Sequence, residues 1–161
     1  MRFLLVDEIL ELTPGKSAVG TYFASPEADY FADHFPGFPV VPGVLLTEML
    51  GQTAGKALEA ENPGRGKAML AQIQSARFQD WVRPGSTVRL SASIRSSRPQ
   101  FATTSCRAEV EGKTVCTAEL LFAFVPPGQL GSDYRDSVLD AYLARHPTPL
   151  SDPGPTRSTP P

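Results

Sequence analysis

Two side chains able to move protons near neutral pH, His34 and Glu48, stand fourteen residues apart with a glycine, Gly43, between them. Imidazole and carboxylate are the common protein groups that exchange protons readily in that range. The intervening run HFPGFPVVPG has proline at 36, 39 and 42 and glycine at 37 and 43. Proline fixes its own φ and restricts the residue before it, so this loop holds the imidazole in a set place. Gly43 then opens a helical run, whose first amides are unpaired and carry partial positive charge. They suit a carbonyl oxygen that turns negative. Glu48 lies among Val44, Leu45, Met49 and several small residues, and Gln52 follows one turn later on the same face. There the Gln52 amide can orient the carboxylate. An enclosed carboxylate must be paired, hydrogen-bonded or functional. Together these groups suit chemistry beside a carbonyl. One group takes a proton from the α-carbon, the helix tip steadies the enolate, and the other group protonates a departing hydroxyl. Water leaves and a conjugated double bond remains.

The rest of the chain must hold these groups. GVLLTEMLGQTAGKALEAE, residues 43–61, is rich in helix formers, about five turns long, and is closed by Asn62-Pro63-Gly64. Its small residues Gly51, Ala54, Gly55 and Ala57 let other backbones approach. Strands are predicted at Phe3–Val6, Ser17–Ala24, Ala68–Ile73, Thr87–Arg95, Phe101–Val110 and Thr114–Phe124. In TVRLSASIR, apolar Val88, Leu90, Ala92 and Ile94 alternate with polar residues, the mark of a half-solvated antiparallel strand. One helix cannot cover both faces of such a sheet. The reading is an α+β domain in which a curved antiparallel sheet wraps the helix and hides its open edge against a second copy. A homodimer is therefore expected.

Composition narrows the class. With 161 residues, 41% hydrophobic and 20% charged, the chain is long enough for one cored globular domain. A net charge of −2 gives no basic field for nucleic acid or an anionic membrane. No apolar run reaches a membrane span, and MRFLLVDEILEL is interrupted too early for a secretory signal, so a cytosolic location is expected. Cys106 and Cys116 fall on the two arms of a predicted hairpin around Glu111-Gly112-Lys113. A three-residue turn would pair Ala108 with Cys116 and Cys106 with Ala118. The cysteines then become diagonal neighbours, about 7–8 Å apart, and are read as buried thiols rather than a disulfide or metal site. No metal cluster or phosphate-binding fingerprint is present.

Eight of the sixteen prolines lie in residues 126–161, so the domain is placed at 1–125, followed by a proline-rich extension. Within the extension a short helix is predicted at about 133–146, with Asp133 as its cap and Val138, Leu139, Tyr142 and Leu143 as a narrow apolar stripe that docks on the parent domain. His146-Pro147 stops it, and the remainder is expected to be a flexible tail.

HFPGFPVVPGVLLTEMLGQTAG resembles the signature of the FabZ-type 3-hydroxyacyl-[acyl-carrier-protein] dehydratases. The likeness extends through RFLLVDEILELTPGK, ARFQDWVRPGSTVRL and the closing hairpin, over roughly residues 2–125. The resemblance implies a hot-dog fold, a dimer that often assembles as a trimer of dimers, and a site in which His34 of one subunit faces Glu48 of the other. It implies no cofactor, the substrate being carried on a phosphopantetheine thioester of acyl carrier protein or coenzyme A. By the same resemblance His34 is the base at the α-carbon and Glu48 expels the β-hydroxyl. The Gly43 amide binds the thioester carbonyl, and Gln52 orients Glu48. Related dehydratases that also isomerise the double bond carry Asp on the helix, so Glu48 favours plain dehydration. Leu45, Met49, Ile73 and Phe78 are candidates for an apolar acyl tunnel, against an ordinary core role.

The chain departs from that pattern in two places. Asp33 replaces the usual glycine before the histidine, where a carboxylate either weakens His34 as a base or simply faces solvent. Gln79, Asp80 and Trp81 follow ARF where the family has basic residues that meet an acidic carrier. Arg77, Arg83, Arg95 and Arg98 remain as carrier or pantetheine contacts. Two other readings stay open: a thioesterase on the same fold, and a silent acyl-binding subunit paired with an active sister.

Overall fold

In the computed structural model, which describes residues 3–131 and 134–147, the chain runs in order through six strands and three helices. These are β1 (Glu8–Thr13), β2 (Ser17–Phe23), α1 (Tyr30–Asp33), α2 (Gly43–Glu61), β3 (Lys67–Phe78), β4 (Thr87–Ser97), β5 (Phe101–Val110), β6 (Lys113–Val125) and α3 (Ser137–Arg145). Helix α2 has the bounds expected from sequence, starting after Pro42 and ending at Asn62. The strands form one antiparallel sheet in the order β1-β2-β4-β5-β6-β3. Alternation decides which face is buried. Val88, Leu90 and Ala92 of β4, Ala102, Thr104, Cys106 and Ala108 of β5, and Cys116, Ala118, Leu120 and Phe122 of β6 all turn inward. They close on Leu46, Met49, Leu50, Ala54 and Leu58 of α2. Bulges in β3, between Leu70 and Gln72 and between Ile73 and Ser75, bend that strand around the helix.

The Phe3–Val6 stretch is not a sheet strand, contrary to expectation. It lies beside α2, with Leu5 and Val6 buried, and the chain joins the sheet only where the Asp7 amide donates to the Thr21 carbonyl. Apolar β-formers mark an extended segment, but its hydrogen-bond partner here is the side chain of Gln52, which a strand pattern cannot reveal.

The β5–β6 hairpin has the register expected from sequence, Ala108 opposite Cys116 and Cys106 opposite Ala118, but reaches it differently. Glu111 and Gly112 form a two-residue turn with φ of 51° and 78°, and a bulge at Val115 restores the pairing. Both cysteines are free and buried. Burial pushes the Cys106 thiol up to about 12 and the Cys116 thiol to about 11.

The C-terminal helix begins later than expected. Asp136, not Asp133, caps α3, its Oδ1 accepting from the Leu139 amide at 3.0 Å. Asp133 and the expected flexible tail, residues 148–161, lie outside the described residues. Val138 and Leu139 are buried, and Arg145 bonds Glu8 at 2.8 Å, so α3 docks against β1 and the Leu4–Val6 segment. His146 ends the helix, its amide donating to the Tyr142 carbonyl.

Candidate active site

The proline loop sets the imidazole by a hydrogen bond as well as by backbone restriction. His34 Nδ1 lies 3.0 Å from the Val40 carbonyl, and the Val40 amide donates to the His34 carbonyl at 2.9 Å. A carbonyl oxygen only accepts, so Nδ1 is the donor here, and in the neutral ring Nε2 keeps the lone pair. The Phe35 ring stacks on the imidazole with centroids 4.0 Å apart, and the His34–Phe35 peptide is cis. His34 is half-buried, and Asp33 is exposed at the end of α1. Facing solvent is thus the alternative the structure adopts for Asp33.

No side chain caps the N terminus of α2, and the ring of Phe78 lies against Gly43. A Cβ at position 43 would stand 2.9–3.1 Å from that ring, so glycine brings β3 and the helix tip together. The Leu45 and Leu46 amides donate to the Pro42 carbonyl, so the tip keeps the Gly43 and Val44 amides for an acceptor from outside the helix.

One and a half turns on, Glu48 is half-buried, and its Oε1 accepts from Gln52 Nε2 at 3.0 Å. The Gln52 amide is itself fixed. Its Oε1 accepts from the Leu5 amide at 2.9 Å, and Nε2 also donates to the Phe3 carbonyl at 3.1 Å. The N-terminal segment thus orients Gln52, and Gln52 orients Glu48. Glu48 and Gln52 line a cleft of about 540 Å³ with Gly51, Gly55, Met69 and Leu70.

His34 and Gly43 do not line that cleft, and among the described residues no contact joins His34 to Glu48. One chain thus carries an imidazole fixed on the proline loop and a carboxylate in a cleft that the imidazole does not line. Of the apolar candidates, Leu45 and Met49 are buried in the core. Ile73 and Phe78 are about half exposed on β3, the open edge of the sheet.

On the proline loop, Phe38 meets Trp81 edge to face at 6.1 Å, and the Arg83 guanidinium lies 4.2 Å over the Phe38 ring. Asp80 is paired with Lys113, which holds its carboxyl below the usual range. Among the described residues, no group of three or more His, Cys, Asp or Glu could hold a metal ion, and no helix is long and apolar enough to cross a membrane.

Sequence reasoning missed the backbone partners of Gln52 and a buried pair at the far end of the cleft, Lys56 with Asp136 at 2.7 Å. A lysine between small residues of a core helix was the available signal, since such a charge needs a partner.

A curved sheet wrapped on a central helix, with a histidine loop before that helix and a carboxylate on it, defines a hot-dog protein equipped for acid–base chemistry. Comparison with known proteins makes this specific. The family model of the ApeI dehydratase (ApeI-like) matches residues 11–118. The chain is 45% identical over 126 residues to the 3-hydroxyacyl-[acyl-carrier-protein] dehydratase FabZ of Chloroflexus aggregans, covering 78% of this chain and 88% of that one. To FabZ of Geobacillus thermodenitrificans it is 43% identical over 122 residues, covering 75% and 84%. The chain belongs to the FabZ-type and ApeI-like dehydratases and is a hydro-lyase of that family. Solved structures agree on the fold. The dehydratase heterocomplex ApeI:P of Xenorhabdus doucetiae superposes with a TM-score of 0.55 at 21% identity, over 68% of this chain and 88% of that one. A Streptococcus mutans protein bound to acetyl-CoA gives 0.63 at 12% identity, over 78% and 94%.

Proposed function

We propose that the protein removes water from a 3-hydroxyacyl thioester carried on the phosphopantetheine of an acyl carrier protein, giving a trans-2-enoyl thioester. A homodimer brings His34 of one protomer to Glu48 of the next. The observation that carries this reading is the Nδ1 bond to Val40, which leaves His34 Nε2 as a fixed base. Nε2 takes the α-proton, and the first amides of α2, that of Gly43 foremost, hold the carbonyl oxygen as it gains charge. Glu48, kept in place by Gln52, gives a proton to the hydroxyl as the carbon–oxygen bond breaks. The products are enoyl thioester, water, imidazolium and carboxylate, and proton return from His34 to Glu48 restores the pair. The half-exposed β3 edge, with Met69, Ile73 and Phe78, supports pairing of two copies there. Higher assembly into a trimer of dimers is part of the same proposal.

A second reading is a mixed dimer with a sister dehydratase. The ApeI-like match favours it, because the Xenorhabdus neighbour is a heterocomplex. The test incubates the purified protein with 3-hydroxyacyl thioesters and follows enoyl absorbance and free thiol together. Enoyl product supports the proposal, and free thiol alone replaces it with hydrolysis. Activity appearing only after addition of a sister chain supports the mixed dimer.

A further inference from the structure

The cleft that begins at Glu48 extends along α2 as far as the C-terminal extension. Along α2 its wall is the stripe Glu48, Gly51, Gln52, Gly55, Lys56, residues that share one face of a helix. The two glycines keep this stretch free of side chains. A Cβ at Gly51 would approach only Leu70 and Leu120, at 3.9 Å, and one at Gly55 only Glu59, at 3.5 Å. At the far end the cleft meets Tyr134, Arg135, Asp136 and Ser137 of the C-terminal extension.

That end is held firmly and is polar. Lys56 Nζ bonds Asp136 Oδ2 at 2.7 Å, the two side chains being 4% and 10% exposed. Lys67 pairs with Glu59 at 2.9 Å and lies 5.0 Å over the Tyr134 ring. Glu59 also accepts from the Ala68 amide. Burial of Val138 and Leu139 anchors the next turn. From Glu48 to Lys56 the helix advances about 12 Å.

We propose that Tyr134–Ser137 of the C-terminal extension closes the far end of the acyl groove with a charged wall on Lys56 and Asp136, restricting this enzyme to short and medium acyl chains. The inference rests on the dehydratase reading above, because the groove is an acyl groove only if Glu48 acts on the substrate. A chain that ends inside the groove buries its methylenes beside Gly51, Gly55, Met69 and Leu70. A longer one must bring methylenes against paired charges that offer them no apolar surface, or displace the extension.

The experiment compares kcat/KM for 3-hydroxybutanoyl, 3-hydroxyoctanoyl and 3-hydroxyhexadecanoyl thioesters in the intact protein and two variants. Lys56→Met/Asp136→Leu replaces the paired charges of the wall with apolar side chains of similar size. Gly55→Val narrows the groove before the wall. The intact enzyme is expected to favour octanoyl over hexadecanoyl by at least about tenfold, a ratio that a few methylenes supply. The double variant should lower that ratio, and Gly55→Val should move preference towards butanoyl. Equal turnover of octanoyl and hexadecanoyl by the intact protein overturns the wall and leaves the dehydratase reading standing. So does an octanoyl-to-hexadecanoyl ratio that the double variant does not lower. No enoyl product at any length overturns both.

Discussion

Gln52 Nε2 stands 3.0 Å from Glu48 Oε1 and 3.1 Å from the Phe3 carbonyl, while Gln52 Oε1 accepts from the Leu5 amide. Every position on the amide has a defined partner, so it cannot flip without losing bonds. The carboxylate proposed to expel the hydroxyl is thereby tied to the N-terminal segment. Gln52→Glu keeps the acceptor for Leu5 but sets a second carboxylate beside Glu48. Two carboxylates that close resist joint ionisation. The limb of the kcat profile on which Glu48 loses its proton should move to higher pH, which a merely structural change would not produce. Gln52→Ala should instead cost about 1–3 kcal/mol of stability through the buried amide left unpaired, read by denaturant unfolding.

If His34 and Glu48 act as one unit, His34→Ala and Glu48→Ala should each lower turnover by roughly 10²–10⁴-fold. The double variant should be little worse than the poorer single one. If the two residues meet across a dimer, mixing the inactive single variants should restore part of the activity in hybrid dimers that retain one intact site. Failure to recover any activity, with subunit exchange shown by mass, would place the pair within one chain.

At Gly43 the tip of α2 packs on the Phe78 ring of β3. Gly43→Ala should destabilise the fold by about 1–3 kcal/mol, the usual cost of overpacking, because the new methyl meets the Phe78 ring at 2.9 Å. Phe78→Leu in the same background should recover part of the lost melting temperature. If it recovers none, Phe78 is not the group that demands glycine.

The Lys56–Asp136 pair sets how the C-terminal extension responds to acid. Burial raises the Asp136 carboxyl, but the charge and hydrogen bond of Lys56, helped by the Leu139 amide and by Lys67, outweigh it and leave the group below its ordinary range. A carboxyl lowered in the folded state contributes stability that is fully present above its unfolded value, about 3.9, and is lost as pH falls through the lowered folded value. The extension should therefore stay docked down to about pH 4 and loosen below it, as amide exchange in α3 would report. Asp136→Ala should cost about 3–5 kcal/mol by leaving Lys56 buried alone, while Lys56→Met/Asp136→Leu should be far milder.

The raised thiols give a simple check on packing. Cys106 and Cys116, at about 12 and 11, carry almost no thiolate at neutral pH. Neither should react with a thiol reagent until the protein unfolds, and both should then react together. Rapid labelling of the native protein would mean that the β5–β6 hairpin opens.

Local patterns alone determined much of this molecule. Alternation in TVRLSASIR and in the hairpin arms gave the inward face and the register, because side chains in a strand switch faces at every residue. Pro42 and Asn62-Pro63 bounded α2, because proline and turn residues act on the backbone at their own positions. The spacing of Glu48 and Gln52 placed them one turn apart, and the observed hydrogen bond between them follows from helix geometry. Three-dimensional structure decided the rest, where a residue's partner is remote in sequence. Phe3–Val6 had the residues of a strand, yet its bonds went to a side chain 47–49 positions away. Asp136 caps α3 and answers Lys56, 80 positions earlier. Periodicity reports the environment a residue needs, but long-range packing chooses which residue supplies it.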